Sequence, residues 1–202
     1  MRKIAFLFLL LASTVGQARH DHDHHRHHDV FVAHQSNAPG FDLISLTLGP
    51  GSFIAPFPAG TSILAESALA SVLMADFKVR DISDNVIGVG SELEDIDFNT
   101  LVAESNWTVV VPGRGTIFGS QKETLAPLFA IVQDMVARGV LEQTFDPPFE
   151  LVTTIAGSGS IVGGTGEFDG AKGTMVETDR LHFISLITGT LSVDDSVEFV
   201  WK

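Results

Sequence analysis

Two hydrophobic patterns run through this chain. From residue 72 onward, short runs alternate apolar with polar side chains, the period of a strand with one buried face. Such runs occupy residues 72–80, 86–93, 107–111, 116–120, 148–156, 158–162, 173–178, 182–191 and 197–201. Asp84-Asn85 and Pro112-Gly113-Arg114-Gly115 punctuate them as turns. Short strands with frequent turn residues predict an antiparallel barrel or sandwich. One segment keeps a different period. Across residues 122–138, Leu125, Leu128, Phe129, Val132, Met135 and Val136 recur at helical spacing, and Gly139 stands where a helix C-cap belongs. This predicts an amphipathic helix packed on the sheet, with a lid over a barrel mouth as the functional alternative.

Ahead of residue 72 the pattern is mixed. Phe41, Leu43, Leu46 and Leu48 predict a strand that Gly49-Pro50-Gly51 ends, and residues 53–60, with Pro56 and Pro58, read as an extended loop. Residues 61–74, rich in Ala, Leu and Ser, fit either a helix capped by Thr61 or Ser62 or a pair of buried strands. At the N-terminus, Arg2 and Lys3 precede an apolar run over residues 4–12 and the small-x-small triplet Gly16-Gln17-Ala18. The run falls short of the roughly 20 residues a membrane span needs. It reads as a secretory signal peptide, residues 1–18, so the product is expected to be secreted, extracellular and free of the membrane after cleavage.

The next segment is rich in His and Asp. His20, His22, His24, His25, His27 and His28 are candidate ligands for zinc, copper or nickel. With no apolar anchor, residues 19–40 are expected to form a disordered tail of weak, pH-dependent metal affinity, a solvated tail with no selected role being the plainer reading. Residues 41–202 are left as the folded domain.

Composition narrows the function. The 202 residues are 45% hydrophobic, enough for one core, and the formal charge of −13 disfavours binding to a phosphate backbone, so no nucleic acid partner is expected. The absence of cysteine removes disulfides, thiolate metal sites and thiol catalysis. Asn106-Trp107-Thr108 is an N-glycosylation sequon, usable if Asn106 faces solvent. His182, outside the His-rich segment, has no G-x-S-x-G partner motif and is expected to be structural.

The glycines of residues 157–166 match neither a dinucleotide fingerprint nor a P-loop, and they lie between strands, where glycine serves bends and close backbone approach. The run from Gly163-Gly164-Thr165-Gly166 through Glu167-Phe168-Asp169-Gly170-Ala171-Lys172-Gly173 resembles the G-G-[ST]-G-x-F signature of the allene oxide cyclase and dirigent barrels. Residues 107–117, from Trp107-Thr108 through Pro112 and Gly113 to Ile117, resemble the W-T segment of the cyclase-like members, and Phe77-Lys78-Val79-Arg80-Asp81 with Val86-Ile87-Gly88-Val89-Gly90 resembles their first long hairpin. The resemblance covers residues 71–200. It implies an all-β fold, a calycin-like antiparallel β-barrel of about eight strands with one inserted amphipathic helix. It also implies a homotrimer and an apolar cavity in which a hydrophobic small molecule is steered to one stereochemical outcome.

The expected site follows from that reading. Glu167 and Lys172 take the positions of the dirigent acid and cation, and Phe77 falls where the cyclases hold a water with asparagine. Asp81 joins Glu167 and Lys172 as candidate catalytic residues, with Asp76 and Arg80 as further polar candidates, while Phe77, Trp107 and Phe168 are candidate ligand contacts. An inward Glu167 would have its pKa raised by burial and would serve as a proton donor. The expected function is binding of a hydrophobic small molecule and control of its cyclisation or coupling, isomerase-like, without covalent catalysis and without a cofactor. The alternative is a non-catalytic extracellular glycoprotein with a metal-binding His-rich tail.

Overall fold

The computed structural model describes residues 26–36, 42–48 and 72–202, with backbone alone over 43–48. The expected signal segment, His20, His22, His24 and His25, and residues 37–41 and 49–71 lie outside the described residues. Ten strands and one helix follow in the order β1 (His27–Ser36), β2 (Leu43–Leu48), β3 (Val72–Arg80), β4 (Val86–Asp97), β5 (Val102–Val111), β6 (Gly115–Thr124), α1 (Ala126–Arg138), β7 (Glu142–Val152), β8 (Ser160–Gly166), β9 (Gly173–Ser185) and β10 (Thr190–Trp201).

All pairing is antiparallel. Nine strands hydrogen-bond in the order β7-β9-β10-β1-β3-β4-β5-β6-β8, and β2 lies off this path on β3. One edge of β3 is shared: β1 meets it at Val32↔Arg80 and β2 takes over from Leu43↔Phe77. The expectation of an eight-stranded closed barrel is therefore corrected. Among the described residues no ladder joins the terminal strands β7 and β8. Among those residues only the chain after β7 spans the two sides. Thr124 N–H donates to the Thr153 carbonyl and Ile155 N–H to the Lys122 carbonyl, so residues 153–155 leave β9 and cross to β6, where β8 then continues the ladder. The sheet curls, and its concave face encloses a shared interior: the Trp107 indole on β5 reaches Glu177 on β9, which is not its neighbour in the sheet.

Alternation sets what that interior contains. Val111, Val109, Trp107, Ser105 and Ala103 point inward along β5, as do Trp201, Phe199, Val197 and Asp195 along β10. Phe77, Phe168, Phe199, Ile117 and Met175 fill one end completely. Small residues make room for these rings. A methyl group on Gly119 would fall 2.2 Å from the Met175 sulfur, and one on Gly164 would fall 2.4 Å from the Phe168 carbonyl oxygen. The glycine segment is thus packing, not a phosphate cradle.

Three other expectations shift. Residues 27–36, assigned by composition to the tail, form β1, because Phe31 and Ala33 alternate into the core beneath an outer face of His28, Val30, Val32 and His34. Residues 72–74 belong to β3, not to a helix. The runs at 173–178 and 182–191 are not separate strands; β9 continues unbroken through Asp179, Arg180 and Leu181 and turns at 186–189. The helix is as expected at its end, where Gly139 caps it at φ 69° and donates to the Met135 and Val136 carbonyls. It starts only at Ala126, since Lys122–Thr124 remain paired to β5.

Candidate carboxyl site on the concave face of the sheet

Followed from Trp201 towards Thr190, the interior changes character. The apolar plug gives way to a layer of carboxyl groups: Glu92 and Glu94 on β4, Glu123 on β6, Glu177 and Asp179 on β9, and Asp195 on β10. Glu92 and Glu177 are each 3% exposed, Glu123 and Asp195 are also buried, and Glu94 and Asp179 are half-buried. Each occupies the inward phase of its strand. Register aligns them, with Glu92 opposite Trp107, Glu94 opposite Ser105 and Asp195 opposite Asp179.

Neutral donors line the layer. Ser105 Oγ donates to Glu92 Oε1 at 2.8 Å, and Trp107 Nε1 donates to Glu177 Oε2 at 3.1 Å. Gln121 Nε2 donates to Glu123 Oε1 at 2.7 Å and also to Glu177. The Glu177 backbone N–H donates to Thr154 Oγ1 at 2.7 Å. Among the described residues no Lys, Arg or His pairs with any of the six acids. Asp179 Oδ1 is buried with no hydrogen-bond partner.

This arrangement decides the charge state. Burial raises the pKa of all six acids, and their mutual repulsion raises five of them further. Hydrogen bonds partly offset burial at Glu123. Asp179 is pushed up to about 8. Oxygens of Glu92, Glu177 and Asp195 lie within 4.8 Å of one another. Two charges at that distance repel by about 3 kcal/mol at an effective dielectric constant near 20. These acids therefore hold their protons further up the pH scale than free carboxyls do, and a protonated one donates a hydrogen bond as well as accepting one. When ionised, the same oxygens, with those of Glu94 and Glu123, form an all-oxygen donor set of the kind hard divalent cations take.

The residues singled out from sequence fall elsewhere. Glu167 is exposed in the turn after β8, where the Arg114 guanidinium beside it lowers its pKa, opposite to the expected proton donor. Lys172 is exposed, its backbone paired with Lys202. Asp81 sits in the β3–β4 turn, its pKa lowered by the Asn85 and Ser83 backbone N–H groups. These three side chains point into no common cavity, because charged turn residues retain their water. Of the ligand candidates, Phe77 and Trp107 pack together with ring centroids 5.1 Å apart, and only Trp107 touches the carboxyl layer. Phe168 is sealed in the plug. Asn106 is exposed on the outer face of β5. His27 stacks on Trp201 and His28 pairs with Glu198, so both are engaged within β1. Arg80 forms a two-point pair with Asp42, and His182 meets Asp194 on the outer face, where Asp194 also bridges to His34.

Arg114 closes the plugged end. It donates to Asp29 at 2.8 Å and doubly to Glu167, and lies 4.9 Å over the Phe168 ring, while Trp201 Nε1 donates to the other Asp29 oxygen. Arg114→Ala strands the half-buried Asp29 carboxylate. We expect a loss of about 2 kcal/mol in unfolding free energy by urea titration, with Arg114→Lys restoring less than half because it lacks the planar fork. An Arg114→Ala protein as stable as wild type would refute this role.

No helix among the described residues is long and apolar enough to cross a membrane. No family model and no curated protein matches the sequence. Among solved structures, the chain is similar to two pterocarpan synthase dirigent proteins, GePTS1 and PsPTS1, at 14% identity to each. The matches cover 88% of this chain and 90% and 96% of theirs, with TM-scores of 0.44 and 0.47.

Proposed function

We propose that this chain is a secreted small-molecule-binding protein that holds a neutral, largely apolar ligand against Trp107 and the carboxyl layer and steers its cyclisation or coupling. The observation that carries this reading is the layer of buried acids bordered by an indole, with Asp179 Oδ1 left unpartnered among them. A protonated Glu or Asp donates to a carbonyl or quinoid oxygen on the ligand and stabilises the charge that develops there as a bond forms elsewhere on it. The aromatic wall fixes which face of the ligand is open. Such control needs orientation and exclusion of water, not a covalent intermediate.

The test is chiral chromatography of products from prochiral phenols oxidised by an added one-electron oxidant, ferricyanide, in the presence of the protein. Wild type is expected to give an enantiomeric excess that Glu177→Leu abolishes at unchanged total conversion. Racemic product from every phenol, with no lipophile found by native mass spectrometry of the purified protein, overturns the reading.

The second reading, a non-catalytic extracellular glycoprotein, is favoured by the exposure of Asn106 and by the solid packing of the apolar end. Racemic product from a protein glycosylated at Asn106 is its expected signature.

A further inference from the structure

A separate cavity of about 240 Å³ lies between α1 and the β9–β10 hairpin. Leu128, Phe129 and Val132 line it from the helix, and Ile184 and Leu191 from the hairpin. Along β9, the fully buried Leu181 stands between Asp179 and Ile184, and Leu181 packs with Ile184 and Met135 in a second apolar cluster. The cavity therefore belongs to the helix side of the fold, beyond the carboxyl layer.

We propose that this cavity is a binding site for a compact, neutral hydrophobe of one or two rings. Three observations set that class. The first is size: an apolar cavity of roughly 150 Å³ holds benzene, so this one takes about one more ring. The second is chemistry. Among the described residues no lining residue is charged, and the lining hydroxyls are already engaged: Ser185 Oγ donates to Glu142 Oε1 and accepts from Thr188 N–H, while Thr190 Oγ1 pairs with Thr188 Oγ1. A ligand with polar groups would lose its water without gaining partners. The third is charge: a chain of formal charge −13 repels anionic ligands. The cavity is too small for a peptide helix, whose diameter with side chains is about 10 Å. Burial of ring surface supplies the affinity, and the helix supplies the wall.

The site makes no use of the carboxyl layer, so it stands or falls apart from the function proposed above. The probe is 1-aminonaphthalene, neutral at pH 7 and bright only out of water. We expect saturable one-to-one binding by fluorescence. Val132→Trp, which fills the cavity, is expected to weaken it at least tenfold. Val136→Trp, on the exposed face of the same helix, and Glu177→Leu leave it unchanged. In case Val132→Trp fails to fold, methyl NMR of the wild-type protein gives an independent reading, with probe-induced shifts concentrated on Leu128, Val132, Ile184 and Leu191. Non-saturable binding, binding retained by a folded Val132→Trp protein, or methyl shifts centred elsewhere overturns the proposal.

Discussion

Raising the pH from 5 to 8.5 is expected to lower the melting temperature of this protein by about 10 °C or more, a direction opposite to that of proteins stabilised by ionised carboxylates. The sign follows from the carboxyl layer. In the unfolded chain these acids ionise near pH 4. In the folded chain burial, and for five of them the neighbouring acids, keep the proton on well above that, to about 8 at Asp179. Between those values the folded state binds more protons than the unfolded state, so stability falls as pH rises. It is fully present below about pH 4 and lost as pH passes through the folded pKa values. Glu177→Gln keeps an acceptor for Trp107 and removes one titrating group, so it flattens the profile and raises the melting temperature at pH 8.5. Calorimetry across the pH range decides the matter. A flat profile, or one rising with pH, would mean that the six acids are charged and paired.

Trp107→Ala is expected to cost about 4 kcal/mol in urea-induced unfolding, the largest effect of any single truncation described above. The indole is buried, packs on Phe77 and joins the apolar plug to the carboxyl layer through its donation to Glu177. Removing it leaves a cavity and takes one of two donors from Glu177. Trp107→Phe separates the two effects: it restores most of the volume but not the N–H, and should cost about 2 kcal/mol. Equal losses for Ala and Phe would assign the whole effect to the hydrogen bond.

The strand sequence was legible where one face is apolar. Residues 72–80 and 86–93 announce β3 and most of β4 by alternation alone, and the stripe from Leu125 to Val136 with Gly139 behind it announces α1. β1 was hidden because its outer face carries His28 and His34 next to a His-rich segment, and composition outweighed the inward pair Phe31 and Ala33. The carboxyl layer was hidden for a related reason. Glu and Asp are assigned to solvent by habit, since they are seldom buried. Yet the phase was there to read. Counting back by twos from Trp201 gives Phe199, Val197 and then Asp195, and counting on from Met175 gives Glu177 and Asp179, so acids occupy positions that the strand turns inward. The crossing at residues 153–155, which carries the chain from β9 to β6, depends on contacts between segments far apart in the chain, and no local pattern encodes it.

The pairing of β1 with β10 opens at His27↔Trp201, beside the Arg114 closure. His27 and Trp201 therefore lie side by side on one rim, while α1 and its cavity occupy the other. A surface tether attached at the first rim would present the helix-covered rim outward.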